Sequence, residues 1–446
     1  MSGVDVVGKT VVVVGLQASG RSAATLAVRG GARVFGLDLR TDVAPIPRVT
    51  LELGAHRRET LLGADLVVVS PGVPAAQPDL VAAADAGVPL LGELAFASTF
   101  LDQPMAAITG TNGKSTVTWF AGQLLRAAGL RPFVGGNLGR PLSDAVLAER
   151  GGEPPADVLV VEVSSYQMEL PGRFHPRIGV ILNLTPDHLA RHGDMDTYGL
   201  HKLGLFARMG SDDLAVLPGG DERLARLARE HPGGGRRAWL GALPGVVREG
   251  RTARIEVGDL ACTLDLSAIR IPGEHNLDNA ATAALVALAL GAEVAAVQHG
   301  VAGLAALPHR MEIVAERDGV TFINDSKATN VEAAVVGLRG LDRPAVVLLG
   351  GQAKGAGFAA LAPLLGRHRA VVTFGGSADA IAAELETAGV QVERAGSLAD
   401  AVARARALAH TGDAVLLSPG CASFDAFDNF EHRGRVFRAL AAGEEP

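Results

Sequence analysis

The sequence predicts an α/β protein laid out in three consecutive segments with mostly parallel sheets. Three observations carry this. Continuous apolar runs such as Val11-Val12-Val13-Val14 and Leu66-Val67-Val68-Val69 stand between helical stretches, as strands of a parallel sheet covered on both faces require. A strand, a glycine turn and a helix follow one another over 104–129. At 446 residues the chain also exceeds what one hydrophobic core usually supports.

The first segment, 1–95, opens with a strand over 10–14, then Gly15 and Gly20, then a helical run to Gly30. A second strand, 32–37, ends at Asp38, and a third, 66–69, ends at Ser70-Pro71-Gly72. A glycine turn and an acid closing the second strand suit a Rossmann-like domain. The full G-x-G-x-x-G spacing is absent, so by itself the signal for a bound nucleotide is weak beside plain turn geometry.

The second segment, 96–306, holds the most informative stretch. Residues 109–116 read T-G-T-N-G-K-S-T, directly after the apolar run Pro104-Met105-Ala106-Ala107-Ile108 and before a helix ending at Gly129. Such a turn aims free backbone N–H groups and the positive helix end at one point, which suits a phosphate. Lys114 adds a mobile charge, and Ser115 or Thr116 can place a hydroxyl on Mg²⁺. The usual phosphate loop carries glycine where Ile108 stands, so this is a shortened variant.

The next strand, 158–161, ends in Glu162, and another, 178–182, ends in N-L-T-P-D-H at 183–188. Ligands of open parallel sheets collect beyond the carboxyl ends of strands, so Glu162, His188 and the loop should converge. A glutamate there suits Mg²⁺, which prefers hard oxygens. His188 is open between phosphate donor, metal ligand and helix cap. Lys202 reads by default as a solvated lysine on a helix. The stretches 149–157 and 231–237 read as surface loops, and 280–292 as a buried core helix too short to span a membrane.

The third segment, 307–446, has strands expected at 320–324, 345–349, 370–374 and 414–417, in a second Rossmann-like arrangement. Residues 321–330, T-F-I-N-D-S-K-A-T-N, crowd charged donors and acceptors after a strand, as a phosphate clamp would, with helix capping as the ordinary role of Asn330. Residues 418–434 are too ordered in polarity for a simple turn. Cys421 lacks an evident base partner there.

Composition sets bounds. A net charge of −7 without any long Lys/Arg block argues against nucleic acid as a partner. Two cysteines, Cys262 and Cys421, make no disulfide framework, which points to a reducing compartment. The first ten residues lack a signal peptide's basic region and cleavage site, so a cytoplasmic protein without membrane insertion is expected.

Taken together, T-G-T-N-G-K-S-T, E-V-S-S-Y-Q at 162–167, N-L-T-P-D-H, P-G-E-H-N-L-D-N at 272–279, L-P-H-R at 307–310, N-D-S-K-A-T-N at 324–330 and S-P-G-C-A-S-F-D at 418–425 resemble the Mur ligase family. The resemblance runs from the first strand to Arg433. It implies three domains: a Rossmann-like one for a UDP-sugar, a central P-loop-type ATPase domain, and a Rossmann-like one for an amino acid, with the last closing on ligand binding. The implied reaction joins D-glutamate to UDP-N-acetylmuramoyl-L-alanine through an acyl phosphate. A sister ligase adding L-glutamate is the alternative, and a folylpolyglutamate-type ligase a more distant one. A nicotinamide oxidoreductase would leave Lys114 and 321–330 without a role.

Residue by residue, the resemblance implies ATP contacts at Gly110, Thr111, Asn112, Gly113, Lys114, Ser115, Thr116, Asn276, Asn279, Arg310, Asp325 and Lys327. Two Mg²⁺ sites would draw on Ser115, Thr116, Glu162, His188 and a carbamylated Lys202, and Lys114, Glu162, His188 and Lys202 would be catalytic. The UDP-sugar side would use Gly15, Leu16, Gln17, Asp38, Arg40, Ser70, Asn137 and His188; the glutamate side Thr329, Lys354, Ser423 and Phe430. A monomer is implied. Leu39 and Ala353 depart from the family's pattern, which has a hydroxyl residue and an acid more often at these places.

Overall fold

The computed structural model describes residues 3–55, 57–231, 233–353, 355 and 357–444, and three sheets follow one another along them. The first holds β1 (Thr10–Val14), β2 (Arg33–Asp38), β3 (Val49–Leu53), β4 (Leu66–Val69) and β5 (Leu90–Gly92), all parallel, in the order β3-β2-β1-β4-β5. β4 is buried throughout and β1 from Val11 onward, as their unbroken valine runs require. The helix Ala18–Arg29 follows the first turn, where a Cβ on Gly20 would collide with the Gly15 carbonyl oxygen. β3 and β5 were not expected from sequence: one is a half-exposed V-T-L-E-L edge, the other only three residues long.

The second sheet holds β6 (Met105–Thr109), β7 (Pro132–Gly136), β8 (Val158–Glu162), β9 (Ile178–Ile181), β10 (Leu214–Pro218), β11 (Arg236–Leu240), β12 (Gly245–Glu249), β13 (Thr252–Val257) and β14 (Leu260–Asp265). Their order is β14-β13-β12-β11-β10-β9-β6-β8-β7, parallel from β7 to β12 and closed by the antiparallel turns of β13 and β14. Two expectations are corrected here. The 231–237 stretch is not all loop, because Arg236 opens β11 and pairs with Leu214. The 149–157 stretch begins inside the helix Ser143–Arg150. The alanine-rich segment is the core helix Glu274–Ala289, as expected. Among the described residues no helix is long and apolar enough to cross a membrane.

The third sheet holds β15 (Glu312–Arg317), β16 (Val320–Asn324), β17 (Ala345–Gly350), β18 (Ala370–Phe374), β19 (Val392–Arg394) and β20 (Ala414–Leu417), in the order β15-β16-β20-β17-β18-β19. Only β15 runs antiparallel. The expected strands are all present; β15 and β19, at the two edges, are additions. By contacts the chain forms two compact units, one reaching to Ala268 and including Asn279–Ala302, the other made of Ile269–Asp278 and the chain from Gly303. The first two sheets share the first unit. Phe96 and Val146, from helices beyond the first sheet, complete its core, and the Gly92 amide donates to the Leu170 carbonyl at 3.0 Å.

Candidate active site

β6 runs directly into the phosphate loop, and the helix Lys114–Ala127 begins where the loop ends. Two glycines make this turn possible. Gly110 and Gly113 have φ of 149° and 85°, and a Cβ on either would meet an atom at 2.9 Å: Leu182 Cβ for the first, Asn279 Oδ1 for the second. Asn183, at the end of β9, braces the loop by accepting from the amides of Thr111 and Asn112 at 3.0 and 2.8 Å. The Lys114 ammonium folds back onto the carbonyls of Gly110 and Thr111 at 2.9 and 2.8 Å. Ser115 is buried and Thr116 half-buried in the first helical turn.

Lys202 reaches the same Gly110 carbonyl at 2.9 Å, and its ammonium lies 4.3 Å from the centre of the Tyr198 ring. It is 1% exposed, so the reading of a solvated lysine is wrong. Its helix, Met195–Leu203, is capped by Asp194 and packs on the helix Glu222–Glu230, where a Cβ on Gly199 would lie 2.8 Å from Leu227. Tyr198 and Lys202 stand four residues apart on the inward face, a spacing that sequence periodicity could have revealed. Burial, then the charge of Lys114, lowers the Lys202 pKa to about 7.

Glu162 closes β8, in register with Ile108 of β6, and is 3% exposed. Its Oε1 accepts from Asn137 Nδ2 at 2.7 Å, while Oε2 is buried with no hydrogen-bond partner among the described residues. His188 has φ of 54° at the start of a short helical turn. Its Nδ1 lies 3.0 Å from the Tyr166 hydroxyl and its Nε2 3.3 Å from an Asp187 oxygen. Partial burial lowers its pKa, against the opposing pull of Asp187. Among the described residues no cluster of three or more His, Cys, Asp or Glu could hold a metal unaided. An oxygen-preferring cation that takes most ligands from phosphate and water needs no such cluster, and Glu162 Oε2 is an unused acceptor for it.

A cavity of about 790 Å³ opens beyond β1, β2 and β4, lined by Gly15, Gln17, Asp38, Arg40, Ser70 and Asn137 together with Leu39 and Tyr166. Leu16 is buried and contributes its amide, which donates to Asp38 Oδ2 at 2.7 Å. Asp38 also takes the Arg40 guanidinium at 2.8 and 3.0 Å, and these bonds hold its carboxyl well below the usual range. Ser70 Oγ donates to the Gly15 carbonyl at 2.6 Å. Asn137 joins this cavity to Glu162, and Tyr166 joins it to His188. Tyr166 was not singled out by sequence, although it stands inside E-V-S-S-Y-Q.

The remaining residues, apart from Asn279 beside Gly113, lie in the second unit. Asn276 donates to the Pro272 carbonyl at 2.6 Å. Asp325 follows β16, accepts from Ser418 Oγ at 2.8 Å, and is pushed up to about 7 by full burial. Arg310 is half-buried, and Lys327 places its ammonium 3.8 Å from the centre of the Phe430 ring. Thr329 is half-buried and Ser423 buried, while Lys354 lies outside the described residues. Asn330 caps the helix Val331–Gly340, accepting from the Ala333 amide at 2.8 Å. Cys421 is buried and its thiol is pushed up to about 12, the opposite of a nucleophile's environment. The 418–434 stretch is loop only as far as Asn429, because Phe430 opens the helix Phe430–Ala442.

Three family models match the chain: Mur ligase MurD-like, N-terminal domain, over 9–92; Mur ligase middle domain over 108–287; and Mur ligase, glutamate ligase domain, over 309–421. A curated protein of Anaeromyxobacter dehalogenans named UDP-N-acetylmuramoylalanine–D-glutamate ligase is 44% identical over 463 aligned residues, covering 99% of both chains. The solved UDP-N-acetylmuramate-alanine ligase MurC of Thermotoga maritima shares the fold at a TM-score of 0.59 and 18% identity, covering 98% of this chain and 99% of that one. FolC of E. coli in complex with ADP reaches a TM-score of 0.57 at 20% identity, covering 78% of this chain and 92% of its own.

Proposed function

Because the chain belongs to the Mur ligase family, we propose that it joins D-glutamate to UDP-N-acetylmuramoyl-L-alanine, converting ATP to ADP and phosphate. The observation that carries this reading is the convergence of Lys114 and Lys202 on the Gly110 carbonyl, one strand away from Glu162 with its unused oxygen. A carboxylate becomes a workable electrophile only once its oxygen is a good leaving group, so the alanyl carboxylate first takes the γ-phosphoryl of ATP. The glutamate amine then displaces phosphate from that acyl phosphate. Two anions must meet in the first step, and positive charge placed beforehand is what permits it.

Each residue has a defined task. The loop amides and Lys114 hold the phosphates, and Lys114 leaves its resting carbonyls to do so. Gly15, Gln17, Asp38, Arg40 and Ser70 line the cavity for the UDP-sugar. Asn137 orients Glu162, and Asp325, Lys327, Arg310, Asn276 and Asn279 serve the nucleotide. Thr329, Ser423, Phe430 and Lys354 serve the glutamate. The donor set fits Mg²⁺ held by Ser115, Thr116, Glu162, His188 and a carbamylated Lys202, where it would neutralise the charge of the triphosphate. The folylpolyglutamate reading is not favoured, since the FolC likeness extends over only 78% of the chain.

The deciding experiment measures phosphate release from ATP with UDP-N-acetylmuramoyl-L-alanine and D-glutamate, L-glutamate or no amino acid. Release dependent on D-glutamate is expected. Dependence on L-glutamate would move the protein to the sister activity, and no release with either would overturn the ligase reading.

A further inference from the structure

The loops after β16, β20 and β17 leave the third sheet side by side, at the carboxyl edge where open α/β sheets hold ligands. One side chain ties all three together. Arg433, 0% exposed, donates from Nε to Ser326 Oγ at 3.0 Å and from Nη2 to the carbonyls of Ser326 and Cys421 at 2.9 and 3.0 Å. Its Nη1 donates to the carbonyls of Ala422 and Gly350 at 3.2 and 3.4 Å. Ser326 Oγ donates onward to the Phe430 carbonyl at 2.8 Å. Gly351 leaves room for this arrangement: its φ is 123°, and a Cβ there would stand 2.9 Å from Arg433 Nη1.

The guanidinium is thus satisfied by four carbonyls and a hydroxyl, all uncharged. Buried cations are ordinarily paired with a carboxylate. Among the described residues none of its hydrogen-bond partners is an acid, and the acid that acts on it electrostatically, Asp425, is exposed and accepts from the Gly376 amide at 2.8 Å. Burial lowers the Arg433 pKa only to about 10, so it stays charged at neutral pH. The positive charge sits under loops that carry Asp325, Lys327 and Thr329 on one side and Ser423 on the other.

We propose that Arg433 is the positioning residue of the amino-acid site, fixing the three loops in register and favouring, through its unneutralised charge, an incoming amino acid with a second carboxylate. The proposal rests on the ligase reading above. It places the preference for a dicarboxylic amino acid partly beneath the three loops, in a buried side chain rather than in a residue that touches substrate.

Steady-state phosphate release separates the outcomes. Arg433→Met is expected to raise the KM for D-glutamate roughly 10-fold, the scale of one unit charge acting over about 10 Å at an effective dielectric near 20. The KM for UDP-N-acetylmuramoyl-L-alanine should hardly move. Arg433→Lys keeps the charge and loses the fork, so its KM for D-glutamate should fall between wild type and Arg433→Met. A misfolded fraction lowers kcat without changing KM. An unchanged KM for D-glutamate with lowered kcat would therefore overturn the proposal, as would equal rises in the two variants. If Arg433→Met does not fold, Arg433→Lys and Ser326→Ala decide by the same KM, with a rise in both expected and no rise in either overturning it. Wild-type protein that releases no phosphate with either D- or L-glutamate would instead strike the ligase reading itself.

Discussion

An ammonium buried as deeply as that of Lys202 loses its hydration, and Lys114 repels the charge that remains. With the pKa lowered to about 7, much of the side chain is free amine at neutral pH, the form that adds CO₂, and that share grows as pH rises. A carbamate would turn repulsion from Lys114 into attraction. Lys202→Ala should therefore lose about 100-fold or more in kcat, the scale of removing a preorganised charge from a reacting site. Acetate in the assay should restore part of the rate, and no restoration in a folded variant would count against carbamylation. The residue types alone do not reveal this lysine, because an isolated Lys among apolar neighbours ordinarily snorkels to water. Its family resemblance singled it out. Glu162 was easier to read, since four apolar residues before an acid mark a strand end.

The phosphate loop works as an element, and its two glycines are as necessary as its lysine. Gly113→Ala would force a side chain to φ of 85° and press its Cβ to within 2.9 Å of Asn279 Oδ1. The expected result is ADP binding weakened about 10-fold or more by calorimetry, with an unchanged far-ultraviolet spectrum, since the strain of about 1–3 kcal/mol stays local to the loop. Lys114→Ala should bind ADP more weakly and release no phosphate; full activity in that variant would remove the loop from the mechanism. The distinction between centre and edge explains part of what was legible, although β10, inside the second sheet and buried over its first four residues, was not expected from the sequence either. β1, β4 and β20 sit inside sheets, and their valine and leucine runs advertise it. β3, β15 and β19 lie on edges with mixed exposure, where neither alternation nor continuous hydrophobicity is required, and β13 and β14 form an antiparallel hairpin on the flank of the second sheet.

At the scale of the whole molecule, among the described residues each compact unit conceals a carboxyl group that resists ionising. Glu93, at the head of the helix Glu93–Ser98, accepts from both the amide and hydroxyl of Ser143 at 2.7 Å, and its Oε2 has no partner among the described residues. Burial pushes it up from 4.5 to about 7, as burial does for Asp325 in the other unit. The sign follows directly: a carboxyl whose folded pKa exceeds its unfolded value binds more protons when folded, so stability is lost as pH rises between the two values. Glu93 therefore costs little at pH 5 and its full penalty above pH 7, of order 3 kcal/mol from a shift of that size. The buried His192 and the half-buried His368, with pKa lowered to about 4, act in the opposite sense over pH 4–6.5, so only a difference between proteins isolates the carboxyl. Glu93→Gln, which mimics the protonated group, should melt near wild type at pH 5 and several degrees above it at pH 8. A shift of equal size at both values would mean that Glu93 stays ionised in the fold, and that its carboxyl reaches more water than its burial implies.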